Sequence, residues 1–239
     1  MLSKKFVTEN KELDKARCKL EIKILKKECT RLIKELHSRK NASIIVVLQG
    51  LDASGKDGIV ERCFSQPGPR FYKTASFKKP TPEELSHDFL WRIHKECPPK
   101  GVIGVFNRSH YEDILVPQSY GWIDEKELEN RYESINDFEN HLKRSGTYIL
   151  KFFLNISYDL QGEKLEERRY NPLKRYKHND SDWETRAKWD DFMKSYDGIF
   201  ENCEKAFEWI NVPADKKWQK DYVVLKEFHK TLNRILKDE

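Results

Sequence analysis

Apolar positions along the chain follow two different spacings. Over residues 9–37 they recur at helical intervals: Leu13, Ala16, Leu20, Ile24, Leu32, Ile33 and Leu36 form an imperfect stripe among charges. This predicts an amphipathic helix packed on the outside of a domain or against a second subunit. Residues 44–48 form an unbroken β-branched and aliphatic run, the pattern of a strand buried on both faces. Residues 101–106 and 148–156 repeat that pattern, and shorter segments at 72–77 and 209–212 predict two further strands. Thr81 as N-cap, Pro82 in the first turn and Glu84 three residues on make a capping box for a helix running to the stop at Pro98 and Pro99. Asp124 with Glu127 is a second capping box, opening a helix that closes at Gly146. Ser157 caps a third helix, which breaks at Asn171 and Pro172. Residues 171–180 lack apolar periodicity and predict an exposed loop; helices return over 181–203 and 218–236. Strands alternating with helices imply βαβ units, hence a parallel sheet covered on both faces. The expectation is one α/β domain over residues 1–239, with 1–40 as an N-terminal helical extension and 158–190 as a lid module.

Composition narrows the function classes. At 239 residues the chain can bury a sizeable core, and 36% charged residues require a heavily ionic surface. No stretch has the length and apolarity of a transmembrane helix. The Lys/Glu-rich start lacks a secretory core. Five scattered cysteines, odd in number and without Cys-x-x-Cys spacing, suit a reducing cytoplasm and argue against a disulfide framework or zinc site. A net charge of +5 is compatible with a polyanionic partner without requiring one.

The candidate chemistry is concentrated at strand ends, where ligands bind in such sheets. The first strand runs directly into Gly50-Leu-Asp-Ala-Ser-Gly-Lys-Asp-Gly58, a phosphate-binding loop pattern with the required strand before it and helix after it. Gly50, Gly55 and Gly58 let the backbone curl, and the loop through Ala53 and Ser54 presents N–H groups to phosphate oxygens. Lys56 adds a point charge. The residue after the lysine is Asp57 rather than Ser or Thr, and Asp52 lies within the loop. Carboxylates repel phosphate unless a metal ion lies between them, so the loop predicts Mg²⁺, with Mn²⁺ as an alternative, alongside phosphate. A second cluster, residues 107–113, follows the 101–106 strand. Asn107 stands where P-loop enzymes usually place a metal-reaching Asp, Glu112 is positioned to take over that contact, and Arg108 to clamp a transferring phosphoryl group. His110 reads equally well as a structural hydrogen-bonding residue. A third cluster, Lys164, Arg168, Arg169, Lys174, Arg175 and Lys177, surrounds the break at Asn171, as in a lid or in a merely solvated helix–loop–helix. Arg70, Lys73, Lys78 and Lys79 fit either a path for a phosphate-rich substrate or a half-buried strand.

Taken together these landmarks resemble the type-2 polyphosphate kinases. They comprise the loop itself; Ser76-Phe-Lys with Pro82-Glu-Glu-Leu and His87-Asp-Phe-Leu-Trp-Arg92; Phe106-Asn-Arg-Ser-His-Tyr-Glu-Asp113; and Arg168-x-x-Asn-Pro-x-Lys174 with Arg186-x-x-Trp189-Asp190. The resemblance spans residues 40–236, and the 107–113 motif is similar to the class III branch. It implies a thymidylate-kinase-like P-loop fold with a helical lid, and reversible transfer of a terminal phosphoryl group from inorganic polyphosphate to AMP, ADP or their guanine equivalents with Mg²⁺. By resemblance, Asp52, Asp57 and Glu112 serve metal and positioning; Lys56, Asn107 and Arg108 contact phosphates; and Arg168 in the lid contacts nucleotide or transferring phosphate, with Lys174 and Lys177 as further phosphate- or nucleotide-binding residues of that lid. It also implies a homo-oligomer, dimeric or tetrameric, with no nucleic-acid or membrane partner. Two departures stand out: Ser157-Tyr-Asp-Leu-Gln161 where the family has Ser-Lys-Glu-Glu-Gln, and Tyr176-Lys177 where it has Trp-Lys. Two rival readings stay open at this point, an ATP-dependent nucleotide or small-molecule kinase and a non-enzymatic basic nucleic-acid-binding module with a vestigial loop.

Overall fold

Strand β1 (Ser43–Gln49) is buried at every residue, and the sheet is built around it. In the computed structural model, which describes residues 13–65 and 67–237, β1 pairs in parallel with β3 (Ile103–Asn107) on one side and β4 (Thr147–Asn155) on the other. Outer strands β2 (Tyr72–Ser76) and β5 (Trp209–Pro213) complete a five-stranded parallel sheet in the order β2-β3-β1-β4-β5. Alternate residues of β1 feed two separate cores, as a strand's two-residue period requires. Ile44, Val46 and Leu48 pack beneath α1 (Lys15–Arg39) and α10 (Lys217–Lys237). Ile45 and Val47 face α5 (Glu112–Ser119), α6 (Glu125–Arg144) and α9 (Trp189–Asn202).

The sheet order sets the position of the chemistry. Leu48 is in register with Asn107, so the loop after β1 and the turn after β3 emerge side by side. The sequence direction reverses there, where open α/β sheets bind ligands. The outer edge at β2 is largely exposed; Lys73 Nζ sits 2.7 Å from Glu96, a residue of α4 (Trp91–Glu96).

Several local expectations need correction. The helix expected from Thr81 to the Pro98 stop is two helices, α3 (Pro82–Leu85) and α4. The capping box at Thr81 and Glu84 is present, but Ser86 Oγ turns onto the Glu83 carbonyl and Asp88 Oδ1 accepts from the Leu90 amide, which ends the first helix. At Asp124 half of the expected box forms: Asp124 caps the Glu127 amide, while the Glu127 side chain pairs with Arg131. Ser157 occupies the N-cap position of α7 (Tyr158–Tyr170) without a side-chain capping bond; its own amide donates to Asp215 instead. The expected helix over 181–203 divides at Lys188 into α8 (Ser181–Ala187) and α9. Helix α5 was not expected, since Pro117 interrupts its pattern. The first four residues of the expected 9–37 helix lie outside the described residues. Among the described residues no helix is long and apolar enough to cross a membrane.

Candidate active site

The phosphate loop is held from below by its own lysine and from behind by two helices. Gly50, Ala53 and Gly55 all have positive φ (143°, 64° and 92°), the backbone cost of the curl. Lys56, the first residue of α2 (Lys56–Ile59), is buried and donates to the Gly50 carbonyl at 2.6 Å and the Leu51 carbonyl at 3.2 Å. Burial lowers its pKa against the pull of Asp52. Behind the loop, Gln161 donates to the Asp52 carbonyl (3.3 Å) and Lys164 to the Ala53 carbonyl (3.5 Å), both from α7. Lys220 of α10 donates to the Ser54 carbonyl (2.6 Å). The Ser54 hydroxyl is buried without a hydrogen-bond partner.

The turn after β3 faces this loop. Arg108 has φ of 64°, a left-handed conformation that arginine rarely adopts, and its guanidinium reaches Asp52 Oδ1 at 2.5 Å. Burial opposes the Asp52 charge, but Arg108 and then Lys56 outweigh it, so its carboxyl sits below the ordinary value. Burial likewise opposes the Arg108 charge, and Glu112 and Asp52 reverse the balance, keeping it firmly protonated. Asn107 Nδ2 donates to Asp57 Oδ1 at 2.6 Å, and Lys177 Nζ lies 3.6 Å from the other Asp57 oxygen. Glu112 accepts from Gln49 Nε2 at 2.9 Å, and Ser109 Oγ donates to Gln49 Oε1 at 3.3 Å. Buried Gln49 thus ties the end of β1 to the start of α5.

A cleft of about 140 Å³ opens between these groups, lined by Gly50, Asp52, Arg108 and Glu112 below and by Asn179, Ser181, Asp182 and Thr185 above. A larger hollow of about 550 Å³ lies between α6 and the end of α9, but it is rimmed by Glu129, Glu133 and Glu201, which would repel phosphate, and no loop residue reaches it. The smaller cleft is therefore the candidate site. Arg168 borders it through an ion pair with Asp182 (2.8 Å), whereas Lys174 is turned to Glu167 at 2.5 Å, and both partners of that pair are exposed.

The structure brings Asp52, Arg108 and Glu112 to one cleft. Asp57, Asn107 and Lys177 form a neighbouring polar group. Among the described residues no three His, Cys, Asp or Glu side chains form a group able to hold a metal ion unaided. His110 lies away from the cleft, buried with Nε2 3.3 Å from Glu139 Oε1. Glu139 also accepts from Lys151 (2.8 Å) and from the Tyr111 hydroxyl (2.7 Å), so residues 110 and 111 anchor the turn in a buried ionic cluster. Arg92 and Asp113, at 2.8 Å, anchor it from the other side. Sequence reasoning missed Gln49, Gln161, Asp182 and Lys220. For Lys220 a signal existed: with Asp221 it continues the stripe that Val224, Leu225 and Phe228 bury, and charges on a buried stripe require partners.

The model of the polyphosphate kinase 2 (PPK2) family matches residues 12–239. The chain belongs to that family. Among PPK2-like relatives, the AMP/ADP-polyphosphate phosphotransferase of Meiothermus ruber is 40% identical, with 84% of this chain and 76% of that protein covered. The ADP-polyphosphate phosphotransferase of Rhodopseudomonas palustris is 36% identical, with 84% and 74% covered. A crystal structure of polyphosphate kinase 2 from Arthrobacter aurescens TC1 superposes with a TM-score of 0.90 at 38% identity, covering 93% of this chain and 81% of that one. The fold is thus that of the PPK2 kinases, a P-loop sheet flanked by helices, and the protein is a phosphotransferase enzyme.

Proposed function

We propose that this PPK2 kinase transfers the terminal phosphoryl group of inorganic polyphosphate to AMP and ADP, reversibly, in the manner of the class III branch. The observation that carries the reading is the single cleft in which the phosphate loop, Arg108 and two carboxylates face the residues that follow the basic segment of α7. Phosphoryl transfer requires alignment and charge neutralisation more than covalent help. Loop amides, Lys56 and Arg108 hold the terminal phosphoryl of the donor. Asn107 steadies Asp57, and Gln49 steadies Glu112. The acceptor phosphate is already anionic near neutral pH, so no strong general base is needed, and none of the clustered side chains has to accept a proton.

The donor set fits a hard divalent cation. Asp52 and Glu112 border the cleft, Asp57 lies beside it, and oxygen ligands of this kind suit Mg²⁺ or Mn²⁺. Mg²⁺ is commonly held by one or two carboxylates plus substrate phosphates, which agrees with a site lacking a ready-made three-carboxylate cage. When bound, the cation screens donor and acceptor from each other. The Asp52 carboxyl, kept ionised by Arg108 and Lys56, is suited to that contact.

Residues 158–190 act as a lid in this reading, with Arg168 exchanging Asp182 for substrate phosphate on closure. Five unpaired cysteines support a reducing compartment such as the cytoplasm, and the exposed Leu20 and Ile24 on α1 support association of two or more copies. The test omits ATP: purified protein, polyphosphate, Mg²⁺ and either AMP or ADP, with nucleotides separated by chromatography. Formation of ADP and ATP is expected. Transfer that requires ATP as donor would assign the site to a conventional nucleotide kinase.

A further inference from the structure

Five successive carbonyls of the phosphate loop each accept a hydrogen bond from a side chain. Gly50 and Leu51 are served by Lys56, Asp52 by Gln161, Ala53 by Lys164 and Ser54 by Lys220. Carbonyl and following amide share one trans peptide plane and point in opposite directions. Holding the Ser54 oxygen against Lys220 therefore turns the Gly55 amide away from α10. Lys220 is tightly held: it is buried to 3% exposure, and its contact with Ser54 is short at 2.6 Å. A Cβ on Gly55 would collide with its ammonium, so the glycine of the loop motif leaves room for a residue 165 positions later as well as for its own φ. The next residue, Asp221, grips Arg62 through two bonds of 2.6 and 2.7 Å, and Arg62 lies against Gly58. The start of α10 is thus keyed to both Gly55 and Gly58.

We propose that Lys220 is a positioning residue of the phosphate loop, setting the orientation of the Ser54–Gly55 peptide and adding a buried positive charge behind the bound phosphates. The anion it serves is the phosphate chain placed in the loop by the functional reading above, on which this part rests. The groups facing Lys220 are Lys164 from α7, Arg62 from the π-helical segment Val60–Phe64 that continues α2, Asp221 on its own helix and Lys56 at the end of the loop. Burial, then Lys164 and Arg62, push its ammonium down to about 8, with Asp221 opposing and Lys56 adding to the fall. Below that pH Lys220 is charged. A phosphate chain arriving nearby favours the charged form, so binding takes up or retains this proton, and affinity falls as pH rises past the folded value.

The test compares wild type with Lys220→Met and Lys220→Arg in the full chain. Amide hydrogen exchange of peptides covering residues 49–57 is measured without ligand, and tripolyphosphate binding is measured by calorimetry at fixed Mg²⁺ from pH 6.5 to 9.5. Loss of a charged hydrogen bond predicts a roughly tenfold or greater weakening in Lys220→Met at pH 7, with faster loop exchange. That difference should shrink toward pH 9.5, as wild-type Lys220 loses its own charge. Lys220→Arg, which stays protonated, should bind near the wild-type level at pH 7 and lose the alkaline decline. A Lys220→Met protein with wild-type melting, loop exchange and affinity overturns the proposal. If that variant does not fold, an alkaline decline in Lys220→Arg identical to wild type overturns it equally. Wild type that binds no tripolyphosphate at any pH would sink the functional reading instead, and the ligand-free exchange comparison would then decide the role of Lys220.

Discussion

The loop floor and the segment proposed above as a lid are both rich in cations, but they use them in opposite ways. On the floor, Lys56 and Lys220 are buried and spend their donors on loop carbonyls. In the lid, Arg168 pairs with Asp182, Lys174 with Glu167, and Tyr170, Leu173 and Tyr176 are each at least 74% exposed. Helix α7 joins the two regimes: Gln161 and Lys164 near its start grip the loop, whereas Arg168 and Tyr170 near its end do not. A floor built this way is rigid before substrate arrives. In the proposed lid, Lys174 is held by an exposed carboxylate and Arg168 by the buried Asp182, acidic partners that substrate phosphate would replace on closure.

The contrast predicts different outcomes on the two sides. Lys56→Ala should lower transfer by about 10³-fold or more, because both the amide cradle and the charge on the donor depend on it, with the fold retained by thermal melting. Full turnover in that variant would remove the floor from the chemistry. Lys151→Met, behind the floor, should cost about 3–5 kcal/mol in urea denaturation, since it strands the fully buried Glu139. The same cluster gives an acid limb. Burial opposes the Glu139 charge, but Lys151 and then His110 lower its pKa. A lowered carboxyl contributes stability that is present above its unfolded value and lost as pH falls through the folded one. Denaturation midpoints of wild type should therefore drop in acid below the ordinary glutamate range, and Glu139→Gln should flatten that drop.

On the lid side, Arg168→Ala should reduce kcat by roughly 10- to 100-fold, as loss of one phosphate-contacting group does. Its melting temperature should fall as well, because the substitution leaves the buried Asp182 carboxylate without its partner. An unchanged kcat with lowered stability would make Arg168 a structural partner of Asp182 and nothing more. The smallest effect is expected for Lys174→Ala: within about 0.5 kcal/mol in stability, given its exposed partner, and a few-fold rise in nucleotide KM.

Legibility from sequence follows the same division. The strands and the loop could be read because β-branched runs and a spaced glycine pattern are local signals. Residues 107–113 could be placed because a polar cluster directly follows an apolar run. The break at Ser86 could not, because short side-chain contacts with the backbone decide it. For Lys220 the buried stripe shows that a partner is required but not which one, because the loop residue that supplies it lies 166 residues earlier. Lys151 gave a fairer warning, as a lone charge in the middle of an otherwise apolar strand that needed a partner such as Glu139.

The charged guard on β2 also bears on how copies of this kinase can meet. Lys73 stands over the outermost strand, held by Glu96 and by the carbonyl of Lys95 at 3.4 Å. A neighbouring molecule that tried to lengthen the sheet at this border would have to part that pair and bury an ammonium. Open-ended strand addition at β2 is thereby disfavoured.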